Sequence, residues 1–207
     1  MRPLNPPADI FEDDQRQEVL RAWLDQGMLS LSVCHVFPES YKQPQLSIWA
    51  MLLSDVFHHV VEAIVLETDS AREFVAGQLR LSFEEVLRSQ RESRFGKLRD
   101  FSRSRKNLPD PDVSGDDTCT EIVRIILLPG SIRVLVLVGM WLPDQEESVW
   151  GNLLYDLAFM IGMSIDGNSA ELLRDEIAEK LVSYMEKPST NYSGKYYGSE
   201  EETRQPS

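Results

Sequence analysis

Asp55 and His59 are the residues whose types and spacing most invite chemistry. They stand four apart, so on a helix their side chains can meet, and a carboxylate beside an imidazole can orient a general base. No Ser or Cys nucleophile is placed by a motif, so the pair is expected to make a hydrogen bond on a helix flank. His58 and His59 are adjacent, point about 100° apart on a helix, and cannot readily ligate one metal together. His35 is the only other histidine. No metal and no cofactor is expected. Glycine-rich phosphate loops, HExxH and GxSxG are absent, which leans the reading away from an enzyme.

The elements that must position these residues recur along the chain. Residues 18–33 read EVLRAWLDQGMLSLSV and residues 121–136 read EIVRIILLPGSIRVLV. Without gaps, Glu18 meets Glu121, Arg21 meets Arg124, Gly27 meets Gly130 and Val33 meets Val136. A second block, WAMLLSDV from Trp49, matches WGNLLYDL from Trp150, so Asp55 meets Asp156. Met160 falls where the second block would repeat His59. A third and weaker block pairs Phe74, Val75, Leu79 and Phe83 with Leu172, Leu173, Ile177 and Leu181. Ordered recurrence of three blocks is the mark of an internal repeat, here a tandem duplication.

Each first block predicts a hairpin. Leu29, Leu31 and Val33, and likewise Ile132, Val134 and Val136, alternate as on a strand with one face buried. The turns fall at Gly27 and Gly130. Each second block predicts a helix begun by its tryptophan, with one stripe through Leu52, Leu53, Val56, Val60, Ala63 and Ile64, the other through Leu153, Leu154, Leu157, Ile161 and Ile165. The third blocks predict helices capped by Asp69 or Ser70 and by Asn168 or Ser169. The expected fold is α+β: two ββαα units sharing a four-stranded antiparallel sheet with helices on one face, a pseudo-dimer in one chain. Arg21 is expected to pair with Asp55, and Arg124 with Asp156. Trp49, Asp55, His59, Trp150 and Asp156, with the two arginines, form the candidate pocket or structural polar cluster at the seam.

The expected division is a flexible lead over 1–15, a first unit over 16–90, a basic linker over 91–118, a second unit over 119–187 and a flexible tail over 188–207. The formal net charge is −13. That charge favours solubility and argues against general nucleic-acid binding. The run Arg88, Arg91, Arg94, Lys97, Arg99, Arg103, Arg105 and Lys106 opposes it locally. Its first four members recur every three residues, as on one face of a continued helix. The run is expected as a solvated linker against an acidic body, with nucleic-acid contact as an alternative. Cys34 and Cys119 lie outside any CxxC motif, so neither a disulfide scaffold nor a four-ligand zinc site is expected. The first fifteen residues contain no apolar run, so they are not expected to act as a secretory signal. The apolar stretch from Val123 to Leu142 is broken by Arg124, Pro129, Gly130 and Arg133, so a buried hairpin explains it better than a membrane span.

The hairpin EVLRAWLDQG-LSLSV followed by Trp49, Asp55 and His59 resembles the small bacterial proteins called domain of unknown function 5076. Those are single units of about a hundred residues. Residues 1–92 are similar to one whole unit, and residues 119–188 to a more divergent one that keeps Trp150, Gly151 and Asp156. Phe57-His58 stands where that family tends to have Ala-Arg. The resemblance implies a bacterial, cytoplasmic setting and this fold, and supplies no activity. The function expected is a non-catalytic protein-interaction or adaptor module with an unknown protein partner and no membrane association. It is expected as a monomer with an internal pseudo-twofold, a further oligomer being left open. The alternative is a small-molecule-binding protein or enzyme with its pocket at the seam.

Overall fold

A computed structural model describes residues 3, 4, 6, 15–35, 42–90, 95–101, 108, 119–186 and 192–197. Period-2 patterning forms two hairpins, β1 (Gln17–Asp25) with β2 (Met28–Cys34), and β4 (Thr120–Leu128) with β5 (Ser131–Leu137). Two-residue turns close them. Gln26 and Gly27 both take positive φ, 52° and 78°, and Gly130 takes 74°. The paired positive φ of Gln26 and Gly27 matches the twist of the flanking strands. The helices are α1 (Lys42–Thr68), α2 (Arg72–Ser89), α3 (Glu146–Ile165) and α4 (Ala170–Tyr184). The apolar stripe expected along α1 is buried throughout, and that of α3 is buried from Trp150 to Ile161. Over Gln45–Thr68, α1 is long and apolar enough to cross a membrane, yet most of that window is buried against the rest of the chain.

The protein is a mixed α+β structure with one sheet of order β3-β2-β1-β4-β5-β6. Its middle four strands pair antiparallel, as expected. The sheet as a whole is mixed, because β3 (Phe95–Phe101) runs parallel to β2, and β6 (Tyr192–Tyr197) runs parallel to β5. Each added strand follows a helix pair, which supplies the long crossover that parallel pairing needs. β3 lies inside the stretch expected as a linker, and β6 inside the expected tail. The helix expected to carry Arg88 onward to Lys97 stops at Ser89, where Gln90 turns left-handed with φ 48°. The expected side-chain caps are also absent: Ala71 and Ser169 stand at the N-caps of α2 and α4 without capping bonds. Asp166 accepts from the Asn168 amide instead, in a short 3-10 turn (Gly167–Ser169) ahead of α4.

The helices cross between hairpins. α1 lies against β5 and β6, and α3 lies against β2 and β3. α2 packs on α3, and α4 packs on both α1 and α3. Glycine sets two of these contacts. A Cβ on Gly151 would come within 2.8 Å of the Phe83 amide nitrogen, and one on Gly162 within 2.7 Å of the Ala170 carbonyl. One core joins strand residues such as Leu20, Leu31, Ile125 and Val134 to the helix stripes. A second, small cluster of Leu4, Ile126 and Leu135 lies apart from it.

The opposite face carries a buried ionic cluster. β1 and β4 pair with Arg21 directly opposite Arg124, and Val19 and Ile122 are each left out of the pairing. These bulges matter. Residues three apart on a regular strand point to opposite faces. An extra residue re-aims the side chains that follow, so Glu18 joins Arg21 and Glu121 joins Arg124 on one face. The Arg21 Nε and Nη2 donate to Glu121 Oε1 and Oε2 at 2.8 and 3.1 Å. Arg124 grips the same two oxygens at 2.9 and 2.6 Å. The Leu4 amide adds a fifth donor at 2.8 Å. Arg124 Nη1 reaches Glu18 Oε1 at 3.3 Å, and Arg21 Nη1 donates to the Leu108 carbonyl at 2.9 Å. The Leu108 amide donates to Glu18 Oε2 at 2.7 Å.

Every nitrogen of both guanidinium groups is thus engaged away from the helices, which overturns the expected pairing of Arg21 with Asp55 and Arg124 with Asp156. Burial pushes the Glu18 carboxyl up from its ordinary value, against the pull of Arg124, the Leu108 amide and Arg21. The cluster is neutral as a whole, so its desolvation is repaid only while all four charges stay. Glu121→Gln leaves two buried guanidinium groups facing each other. Urea unfolding of this variant is expected to show a loss of about 3–5 kcal/mol. A loss below about 1 kcal/mol would show that the cluster does not hold β1 to β4.

Candidate functional site

The two tryptophans expected at a shared seam cleft belong to two separate clusters. Trp49 lies one turn into α1 beyond Gln45, and Trp150 one turn beyond Glu146. Neither opens its helix: α1 starts seven residues before Trp49, and α3 four residues before Trp150.

In the first cluster Trp49 Nε1 donates to His35 Nδ1 at 3.3 Å, with the rings edge to face at 5.8 Å. The Gln45 side-chain amide also bonds that nitrogen. His35 Nε2 meets Ser164 Oγ at 2.8 Å, and Ser164 Oγ donates to the Ile161 carbonyl at 2.7 Å. A serine beside a histidine invites the thought of a nucleophile. The wiring runs the other way. An indole N–H can only donate, so Nδ1 is an acceptor and the imidazole proton sits on Nε2. Nε2–H then donates to Ser164, whose own proton is committed to a helix carbonyl. A catalytic histidine must accept the serine proton and hand its other N–H to an acid.

In the second cluster the Glu146 carboxylate is 3% exposed. Its Oε1 accepts from the Gly139 amide at 3.0 Å and from Trp150 Nε1 at 3.2 Å, and its Oε2 from the Trp141 amide at 3.2 Å. Trp141 stands edge-on to Trp150 at 6.2 Å. Burial raises the Glu146 carboxyl above its ordinary value, and these three donors only partly oppose it. Beside it opens a cavity of about 270 Å³, walled by Ile64, Val138, Trp141 and Pro143 with Glu67 and Thr68 at its side. A shallower groove of about 490 Å³ shares Thr68 and Pro143 with this cavity and runs past Phe74, Asp144 and Glu147. Phe74 and Leu142 are 58% and 62% exposed. Among the described residues no lysine or arginine lines either space.

The other expected site residues scatter. Asp55 is fully buried on α1, and Asp156 is 5% exposed on α3. Burial dominates at His59, with Glu62 the acid that opposes its lowered pKa. Among the described residues no group of three His, Cys, Asp or Glu is placed to hold a metal. Of the basic run, Arg88 and Lys97 are exposed and Arg99 is half-buried. Arg91, Arg94, Arg103, Arg105 and Lys106 lie outside the described residues. Glu146, Gln45, His35 and Trp141 were missed. The signal available for the first two was a side-chain amide or carboxyl four residues before each tryptophan.

Residues 3–91 match the family model described as Domain of unknown function (DUF5076). The match ends before β3. No curated protein and no solved structure matches the chain.

Burial lowers the pKa of His59 from 6.5 to about 4, helped by His58 and opposed by Glu62. Unfolding therefore takes up a proton between those values, and stability falls as pH drops through that window. His58 shifts in the same direction for the same leading reason. Moving from pH 7 to pH 5 is expected to cost the wild type up to about 2 kcal/mol more than His59→Met, read by urea unfolding. Equal losses in both proteins would show that His59 is not held neutral.

Proposed function

We propose that the chain is a non-catalytic protein-interaction module that receives a short segment, apolar and basic, in the groove between the α1–α2 corner and the loop entering α3. The observation that carries this is the groove itself: exposed Phe74 and Pro143 beside Glu67, Asp144 and Glu147, with no basic residue among the described residues that line it. Exposed apolar side chains gathered at a concave surface with one sign of charge favour a partner of the opposite sign. The reversed Ser164–His35 wiring weighs against acyl transfer at the neighbouring cluster.

The module reads as an internal pseudo-dimer that arose by tandem duplication. Support comes from the bulged residues: Val19 and Ile122 are 103 apart, the same spacing as Arg21 and Arg124, which face each other across β1 and β4. The strand order is the same read from either edge, and the helix contacts exchange between halves in the same way. On this reading each unit is ββααβ, the third strand being FGKLRDF in one and YSGKYY in the other. The acidic net charge fits a cytoplasmic setting.

A peptide selection against the full chain tests the interaction reading. Enriched peptides are expected to combine apolar residues with Lys or Arg. They are expected to bind wild type at least 10-fold tighter than a Phe74→Ser variant. Acidic winners, or binding indifferent to that substitution, would overturn it.

A further inference from the structure

We propose that the cavity beside Glu146 and Trp141 takes the terminal cation of a lysine or arginine side chain on the partner segment. This deepens the interaction reading and rests on it. Three features converge on that chemistry. Glu146 is 3% exposed and lines the cavity, and all of its bonds are to neutral N–H groups. A buried carboxylate without a counter-charge is costly, and a cation entering beside it recovers that cost. Trp141 contributes an aromatic wall, and indole is the best of the side-chain rings for holding a cation. Glu67 adds a second acid to the lining, so a cation leaving water meets charge on its way in.

The size also fits. A cavity of about 270 Å³ has room for the end of a long side chain. Ile64 and Val138 supply apolar wall for the methylenes, as amphipathic side chains require. The raised Glu146 carboxyl has the same cause as the proposed affinity, a charge removed from water without a partner of opposite sign. The cluster at His35 offers a contrast within the molecule. There the position before the tryptophan is Gln45, and His35 and Ser164 satisfy it, so no charge awaits neutralisation.

The probe is Nα-acetyl-lysine N-methylamide, titrated into the full chain while the indole N–H signals of Trp141 and Trp150 are followed by NMR. Both signals are expected to shift saturably. The norleucine analogue, which lacks the ammonium, is expected to bind at least 10-fold more weakly. Glu146→Gln is expected to weaken the lysine probe at least 10-fold. Glu67→Gln, at the side of the cavity, keeps the test open if Glu146→Gln fails to fold, with an expected loss of 2- to 5-fold. Equal binding of lysine and norleucine probes, or undiminished binding in both variants, overturns the proposal. Tighter binding of free butylammonium than of the lysine probe overturns the side-chain source. Phe74→Ser separates this from the wider reading: it is expected to weaken selected peptides and leave the lysine probe unchanged.

Discussion

One carboxylate, that of Glu121, is gripped from both sides by arginines of the two central strands, and the rest of the molecule is arranged around keeping that grip dry. Two guanidinium groups cannot lie opposite each other in a protein interior unless something negative stands between them. Glu121 does so with both oxygens, and Glu18 takes what remains of Arg124. The bulges at Val19 and Ile122 exist in the same register because only they bring each acid onto the face of its arginine. Leu4 and Leu108, both distant in sequence, close the cluster with their backbone groups.

The helices answer a different constraint. Each hairpin offers one apolar face, and a hairpin with its own helix pair is a marginal core. Crossing α1 onto β5 and α3 onto β2 makes each long helix depend on the hairpin of the other half. Gly151 allows α2 to sit close on α3, and Gly162 allows the approach of α4. Charge is then left at the ends of the long helices. At one end His35 and Gln45 satisfy each other and Ser164. At the other, Glu146 accepts only from neutral N–H groups and lies beside an open cavity.

The hairpins and the long helices were legible because period-2 and 3.6-residue patterns are written in apolar residues such as Leu29, Leu31, Trp49 and Val56. β3 and β6 were not, since FGKLRDF and YSGKYY carry little alternation and owe their strand form to the edges of β2 and β5. Glu18 and Arg21 were visible as repeated charges, but three-residue spacing misleads on a strand unless the bulge is known. Helix geometry then suggested Asp55 and Asp156 as partners, on the wrong face. At the candidate site the tryptophans were legible and their partners were not. His35 and Trp141 come from loops whose path depends on the whole fold. The basic run from Arg88 read as one helical face, yet Gln90 breaks that helix and Lys97 belongs to a strand.

The central claim is that both halves form one structure because they share one buried seam. Urea unfolding followed by NMR reads it directly, with Trp23 and Trp49 reporting on one half and Trp141 and Trp150 on the other. All four indole signals should vanish at a single urea concentration. Two well-separated midpoints, one for each half, would contradict the account.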